Sequence, residues 1–101
     1  AELARYILEN EPDIFEITSL RSWEVVDDKG KVRYFIPDNT NELIGEFPEI
    51  VGGKTGWTPS ARGCLLVLLK GSRNEYYINV IMGSDKRFEE MREIIQKVNG
   101  F

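Results

Sequence analysis

Residues 52–58 read GGKTGWT, and a few positions later residues 64–70 read CLLVLLK. The second run is apolar almost throughout and has the length of a strand, which suits a strand covered on both faces of its sheet. The first is an odd neighbour for it. Glycine weakens a strand and marks a place where another backbone or a ligand comes close, and a lysine there must find water or a partner. Together the two runs predict a core strand beside an edge strand whose backbone is deliberately bare.

Working outward, YYINVIM at 76–82 is a second apolar strand, joined to the first by the turn GSRNE, and its hydrophobicity again predicts cover on both faces. The last segment supplies one cover. Phe88, Met91, Ile95 and Val98 recur at three- and four-residue steps, with Glu89 and Glu90 early and Lys97 late, as the dipole of a helix favours, and Gly100 is placed to end it. Upstream, AELARYILEN sets Leu3, Ile7 and Leu8 on one helical face, has no capping side chain before it, and is closed by Pro12. The chain reads as beginning inside a helix. SWEVV and KVRYFI flank DDKG, whose Gly30 suits the left-handed position of a hairpin, with Val32, Tyr34 and Ile36 alternating to one side of a peripheral ribbon. PDNTNELIG predicts a short helical turn broken at Gly45, with Asn39 and Asn41 as turn and cap residues rather than catalytic ones. PEIVGG is expected to be a turn leading into KTGWT. Trp23, Tyr34, Tyr76 and Tyr77 are expected to pack on or cover strands. There are no repeats or linkers, so residues 1–101 are expected to form a single α+β unit.

Composition narrows the function. With 42% hydrophobic and 30% charged residues, the chain has the profile of one globular domain with a modest core. A net charge of -4, no histidine and scattered basic residues argue against a nucleic-acid partner, which needs a basic patch. Cys64 is the sole cysteine, which excludes an internal disulfide and a thiolate metal cluster; its apolar neighbours predict a buried, inert thiol. No metal and no organic cofactor is expected. No apolar run is long enough to span a bilayer and residues 1–10 carry no signal pattern, so any export signal must lie outside this chain.

The order of these segments carries a resemblance. NTNELIGEFPEIVGGKTGWT, then a small-residue turn ending in CLLVLL, a hairpin, VIMGSDKRFEEM and a closing amphipathic helix resemble the C-terminal part of the serine D-alanyl-D-alanine carboxypeptidases. These are the low-molecular-weight penicillin-binding proteins, relatives of the serine β-lactamases. KTG alone is a weak pattern; its order with Asn-Thr-Asn upstream, the Cys strand downstream and the Arg-Phe helix start is far more specific. The fold so implied is the C-terminal portion of the penicillin-binding-protein/β-lactamase-like fold, with the antiparallel KTG strand and hairpin packed by a C-terminal helix.

The resemblance also implies roles. In the family a peptide with a free carboxylate lies along the KTG strand as an added strand, so that edge must be open. Gly53 and Gly56 would leave the backbone bare. Lys54 and Thr55 would hold the terminal carboxylate of D-Ala-D-Ala or of a β-lactam. The Trp57 backbone N–H would be the second oxyanion-hole donor, worth about 3 kcal/mol of barrier in such sites. Arg87 matches an arginine that often helps with the carboxylate, which would explain a cation in the first turn of a helix; a solubilising arginine paired with Asp85 or Glu90 is the plain alternative. For Lys54 the plain alternative is an edge-strand guard against strand pairing.

The sequence departs from the family in two places. Ala61, Arg62, Gly63 and Cys64 stand where the family commonly has Ala-Gly-x-Cys, which predicts a different turn geometry. More seriously, no Ser-x-x-Lys exists: the residues three after Ser19, Ser22, Ser60, Ser72 and Ser84 are Ser22, Val25, Gly63, Glu75 and Arg87. Ser72-Arg73-Asn74 is a chance match to Ser-x-Asn, since the family places both motifs before KTG. The expected function is therefore that of a C-terminal fragment of a D-Ala-D-Ala carboxypeptidase acting on peptidoglycan stem peptides outside the cytoplasmic membrane and acylated by β-lactams. The fragment itself is expected to be inactive. Alternatives are a fragment of a serine β-lactamase and a non-catalytic module that binds peptide carboxylates. The missing N-terminal part is the expected partner of the 76–82 strand, and without it the chain is expected to self-associate along that edge.

Overall fold

The computed structural model describes residues 1–99, so the expected helix stop at Gly100 lies outside the described residues. Three helices and two antiparallel sheets follow one another as α1 (Glu2–Asn10), α2 (Pro12–Thr18), β1 (Trp23–Val26), β2 (Val32–Ile36), β3 (Ile50–Thr58), β4 (Arg62–Lys70), β5 (Tyr76–Ser84) and α3 (Arg87–Asn99). β1 and β2 form a separate ribbon, and the main sheet runs β3-β4-β5. This is the α+β arrangement expected of the KTG strand, the hairpin and the closing helix.

β4 is the core strand, and its alternation divides two clusters. Leu65, Val67 and Leu69 face α3, where they bury against Met91 and Ile95 together with Leu43, Ile44, Ile50 and Ile81. Burying a Leu, Val or Met side chain in this way is worth about 1.5–3 kcal/mol each, so this face dominates the fold's stability. Leu66 and Leu68 face the other way, toward Ala4 of α1 and Phe15 of α2. Cover on both faces thus holds for β4. It does not hold for β5, where Tyr76, Tyr77, Val80 and Met82 are exposed, Met82 at 77%. Nor do the aromatic side chains of the ribbon cover a strand: Tyr34 is 71% exposed.

Three expectations need correcting. Pro12 does not merely close α1; it occupies the first turn of α2, where its fixed φ and missing N–H are tolerated. That short helix exists to press Phe15 onto β3. The strand itself begins at Ile50, not after the glycines, because Glu49 O already accepts from Lys70 N and Ile50 lies opposite Leu69. Finally, the cation expected in the first turn is Arg87 alone: reading DKRF as helical from Lys86 onward would start α3 one residue early, since α3 begins at Arg87. Ser84 Oγ, which accepts from Lys86 N and donates to Glu90 Oε1, fixes that start. The ribbon turn matches expectation, with Gly30 at φ +79 and Asp27 accepting from the Lys29 and Lys31 amides.

Candidate functional site

The two glycines that open the motif serve packing first. A Cβ on Gly52 would stand 2.6 Å from Phe15, and one on Gly53 would stand 2.4 Å from Leu66 O. Gly53 is therefore required by β4 whether or not a ligand lies along β3. Gly56 is different: the nearest atom to a Cβ there is 3.9 Å away, so its bareness leaves open space.

β3 pairs with β4 on one side and with no strand on the other among the described residues. Lys70 N points toward Glu49 O, which sets the alternation of β4, and Gly53 N points the opposite way, donating to Thr18 Oγ1 at 3.1 Å. In a regular antiparallel pair the backbone groups of alternate residues share a direction, so those of Thr55 and Trp57 also point to the open side. The edge is thus covered by Thr18 at Gly53 and open from Thr55 onward. Trp57 as a whole is 62% exposed.

Lys54 and Thr55, as neighbours in a strand, project to opposite faces. Lys54 lies on the α1–α2 face, opposite Leu66, and Thr55 on the α3 face, opposite Leu65. They meet again at the edge: the lysine stem curls so that Nζ donates to Thr55 O at 2.5 Å. An ammonium, a hydroxyl and outward backbone donors therefore converge on one short stretch of open strand.

The Asn-Thr-Asn turn stands over that stretch. Asn39 Nδ2 donates to Thr18 O and Leu20 O, both at 2.8 Å, and Asn39 Oδ1 accepts from Asn41 N. Asn41 Oδ1 accepts from Leu43 N at 3.0 Å. Both asparagines are turn residues, as expected. Between them Thr40 is held with Oγ1 2.5 Å from Thr55 Oγ1. Asn41 is only 4% exposed, and its Nδ2 has no partner among the described residues. Around these groups lies a groove of about 550 Å³ lined by Trp23, Ile36, Asn39, Thr40, Lys54 and Thr55 among others. On the opposite face of β3 an apolar cavity of about 450 Å³ runs between α1, α2 and the sheet. Cys64 lines it and is half-buried, not sealed in the core as its neighbours suggested, because its side chain falls on the face that the short helices cover only in part.

Arg87 does not take the solubilising role weighed for it. It is not a free surface cation, since Asp85 pairs with Arg62 instead, and Glu90 bonds to Ser84. It is tied to the motif from behind: Nη1 donates to Gly56 O at 2.7 Å and Cys64 O at 3.3 Å, and the guanidinium lies 4.8 Å from the Phe88 ring centroid. Gly63 makes room for it, because a Cβ there would stand 3.0 Å from Arg87 Cδ. The structure thus brings Lys54, Thr55, Gly56, Trp57 and Arg87 to one end of β3. Thr18 and Thr40 were not singled out from sequence; Thr40 sits inside the quoted Asn-Thr-Asn, where its position between two anchoring asparagines was the available signal. Arg62, where the family commonly has glycine, sits at φ +61, a left-handed conformation that glycine adopts without strain. No group of His, Cys, Asp or Glu among the described residues is arranged to hold a metal. No described helix is long and apolar enough to cross a membrane.

No family model and no curated protein matches the sequence. Solved structures do. A penicillin-binding protein from Listeria monocytogenes in its cefotaxime-bound form shares 25% identity over 93% of this chain, with a TM-score of 0.77. The D-alanyl-D-alanine carboxypeptidase of Mycobacterium tuberculosis shares 26% identity over 79% of this chain and 28% of its own, with a TM-score of 0.60. A serine-to-alanine mutant of a Streptomyces DD-transpeptidase, at 20% identity over 94% of this chain and 38% of its own and a TM-score of 0.75, matches in fold. The chain is therefore similar to the penicillin-binding proteins and D-alanyl-D-alanine carboxypeptidases, has the fold of their C-terminal part, and spans 36% of the length of the Listeria protein.

Proposed function

We propose that this chain supplies the carboxylate-binding strand of a serine-type D-alanyl-D-alanine carboxypeptidase that works on peptidoglycan stem peptides outside the cytoplasmic membrane. The observation that carries this reading is the grouping at the open edge of β3: Lys54 Nζ, Thr55 Oγ1 and the outward backbone of Thr55 and Trp57 lie within four residues. A peptide added along that edge would pair with the backbone and place its terminal carboxylate between an ammonium and a hydroxyl. The Trp57 N–H would then face the carbonyl under attack. A β-lactam, which also carries a carboxylate, fits the same edge, and the Listeria protein was solved with cefotaxime bound. Arg87 contributes by holding Gly56 and so the strand end.

The reaction itself belongs to residues this chain lacks. A serine would attack the penultimate D-Ala carbonyl, its hydroxyl proton passing to a lysine; D-Ala leaves, and water hydrolyses the ester. No Ser-x-x-Lys occurs in the 101 residues. That absence favours a second reading for the chain on its own, a non-catalytic module that recognises peptide carboxylates through the same strand.

Amide chemical shifts during titration with N-acetyl-D-alanyl-D-alanine test the shared core of both readings. The expected result is saturable, millimolar-range perturbation centred on Thr55, Gly56 and Trp57, lost in Lys54→Ala with unchanged melting. Perturbation elsewhere, or none, overturns the carboxylate site. A fluorescent penicillin should leave the 101-residue chain unlabelled in a denaturing gel, since acylation needs the absent serine.

A further inference from the structure

We infer that Thr40 is a positioning residue whose hydroxyl orients that of Thr55; this deepens, and rests on, the carboxylate-binding reading of β3. The two oxygens are 2.5 Å apart, and either hydroxyl can donate. A hydroxyl has one proton and two lone pairs, so the contact leaves Thr55 in one of two states. If Thr55 donates to Thr40, it offers an incoming carboxylate only lone pairs, which repel it. If Thr40 donates, the Thr55 proton is free for the ligand. A carboxylate selects the second state, giving a chain that runs Thr40 O–H to Thr55 O–H to carboxylate, in which each bond polarises the next.

The surrounding structure explains why Thr40 can do this. Its backbone is fixed on both sides by asparagines bonded to the end of α2 and to the following turn, so its hydroxyl is presented by a rigid support rather than by a loose loop. Thr55 has no comparable restraint of its own. It stands on the part of β3 where the edge is open, and beyond Thr40 no side chain holds its hydroxyl among the described residues. Its neighbour Lys54 bonds to the Thr55 carbonyl, not to the hydroxyl. Without Thr40, the Thr55 side chain would turn among its rotamers and meet a ligand in the productive one only part of the time.

Two measurements separate this inference from the reading it rests on. The first uses the ligand-free chain: three-bond couplings from Thr55 Cγ2 to the backbone N and C′ report its χ1. Wild type and Thr40→Ser should show one dominant rotamer, and Thr40→Val an average over two or more. Unchanged couplings in Thr40→Val overturn the inference whatever the ligand does. The second is titration with N-acetyl-D-alanyl-D-alanine, where Thr40→Val should weaken binding about fivefold, Thr40→Ser by less than twofold, and Thr55→Val more than either, at equal melting temperature. Equal affinity in Thr40→Val and wild type also overturns the inference. Wild type that binds no D-Ala-D-Ala peptide, with couplings that nevertheless respond to Thr40→Val, overturns the carboxylate reading and leaves the orientation of Thr55 by Thr40 intact.

Discussion

Replacing Arg87 by alanine separates its two conceivable uses, because the structure assigns it to the strand and the family resemblance assigns it to the ligand. Two hydrogen bonds from a charged donor would be lost, of which the 2.7 Å bond to Gly56 O is the stronger. Bonds to charged groups contribute about 1.5–3 kcal/mol, and half-burial of the side chain puts this pair toward the lower end. The stack on Phe88 adds about 0.5 kcal/mol. Against this, Gly56 O and Cys64 O lie between paired strands and keep their ladder partners, so no carbonyl is stranded. The expected loss is about 2 kcal/mol in urea denaturation followed by circular dichroism, or roughly 10 °C in melting temperature for a domain of this size. Both bonds come from Nη1 alone, but a lysine stem is shorter and has no planar face to lay on Phe88, so Arg87→Lys should recover less than half. Unchanged stability in Arg87→Ala, together with a tenfold loss of affinity for N-acetyl-D-alanyl-D-alanine, would refute the strand role and restore the ligand one.

Other substitutions probe the supports around the strand. Gly52→Ala puts a Cβ 2.6 Å from the Cβ and Cδ1 of Phe15, and calorimetry should show a loss of about 1–3 kcal/mol; unchanged melting would refute the close packing of Phe15 on Gly52. Arg62→Gly relieves the strain of a side chain held at φ +61 and should raise stability by about 0.5–1 kcal/mol, since the exposed pair with Asp85 that it also removes is worth little. Asp27 is held below its ordinary 3.8 chiefly by the Lys31 amide, with the Lys29 amide and Arg33 adding to the effect. Its contribution is thus present above that value and lost as pH falls through the lower folded midpoint; NMR titration of its carboxyl should give a midpoint under 3.8 with the Lys31 amide moving in step. Along β5, whose outer side carries no strand among the described residues and which exposes Val80 and Met82, the 101-residue chain should dimerise at micromolar concentration. The backbone of Asn79 pairs inward with Val67, so that of Val80 points to the outer side; sedimentation equilibrium should then show Val80→Pro as a monomer, and a dimer that persists in that variant rules out pairing through this edge.

What was legible in the sequence was what acts locally. Alternation and apolar runs placed β4 and β5, the three- and four-residue steps placed α3, and Gly30 placed the ribbon turn, since each signal lies within the element it defines. The KTG edge was legible for the same reason. What escaped depended on contacts between distant residues. α2 has seven residues and one buried side chain, too little periodicity to stand out, and it is justified only by Phe15 meeting Gly52. The start of β3 at Ile50 depends on Leu69, nineteen positions later by their paired register, and not on anything in PEIVGG itself. Arg87 reads as a surface cation until Gly56 is brought beside it.

The site illustrates this division within three residues. Sequence places Lys54 and Thr55 side by side, yet a strand sends neighbours to opposite faces, so adjacency alone would separate the ammonium from the hydroxyl by the thickness of the sheet. Two tertiary features undo that separation. On one face, the gap left between α1, α2 and β4 gives the lysine stem room to curl back to the edge, where Nζ reaches Thr55 O. On the other, the Asn-Thr-Asn turn comes over the strand and brings the Thr40 hydroxyl onto that of Thr55. The edge is the one place accessible from both faces, and it stays accessible because Thr18 caps the strand at Gly53 and goes no further. A lysine in this position therefore needs its long stem as much as its charge. A shorter cation on the same Cα would remain on the α1–α2 face, and the open edge would offer a carboxylate the hydroxyl without the ammonium.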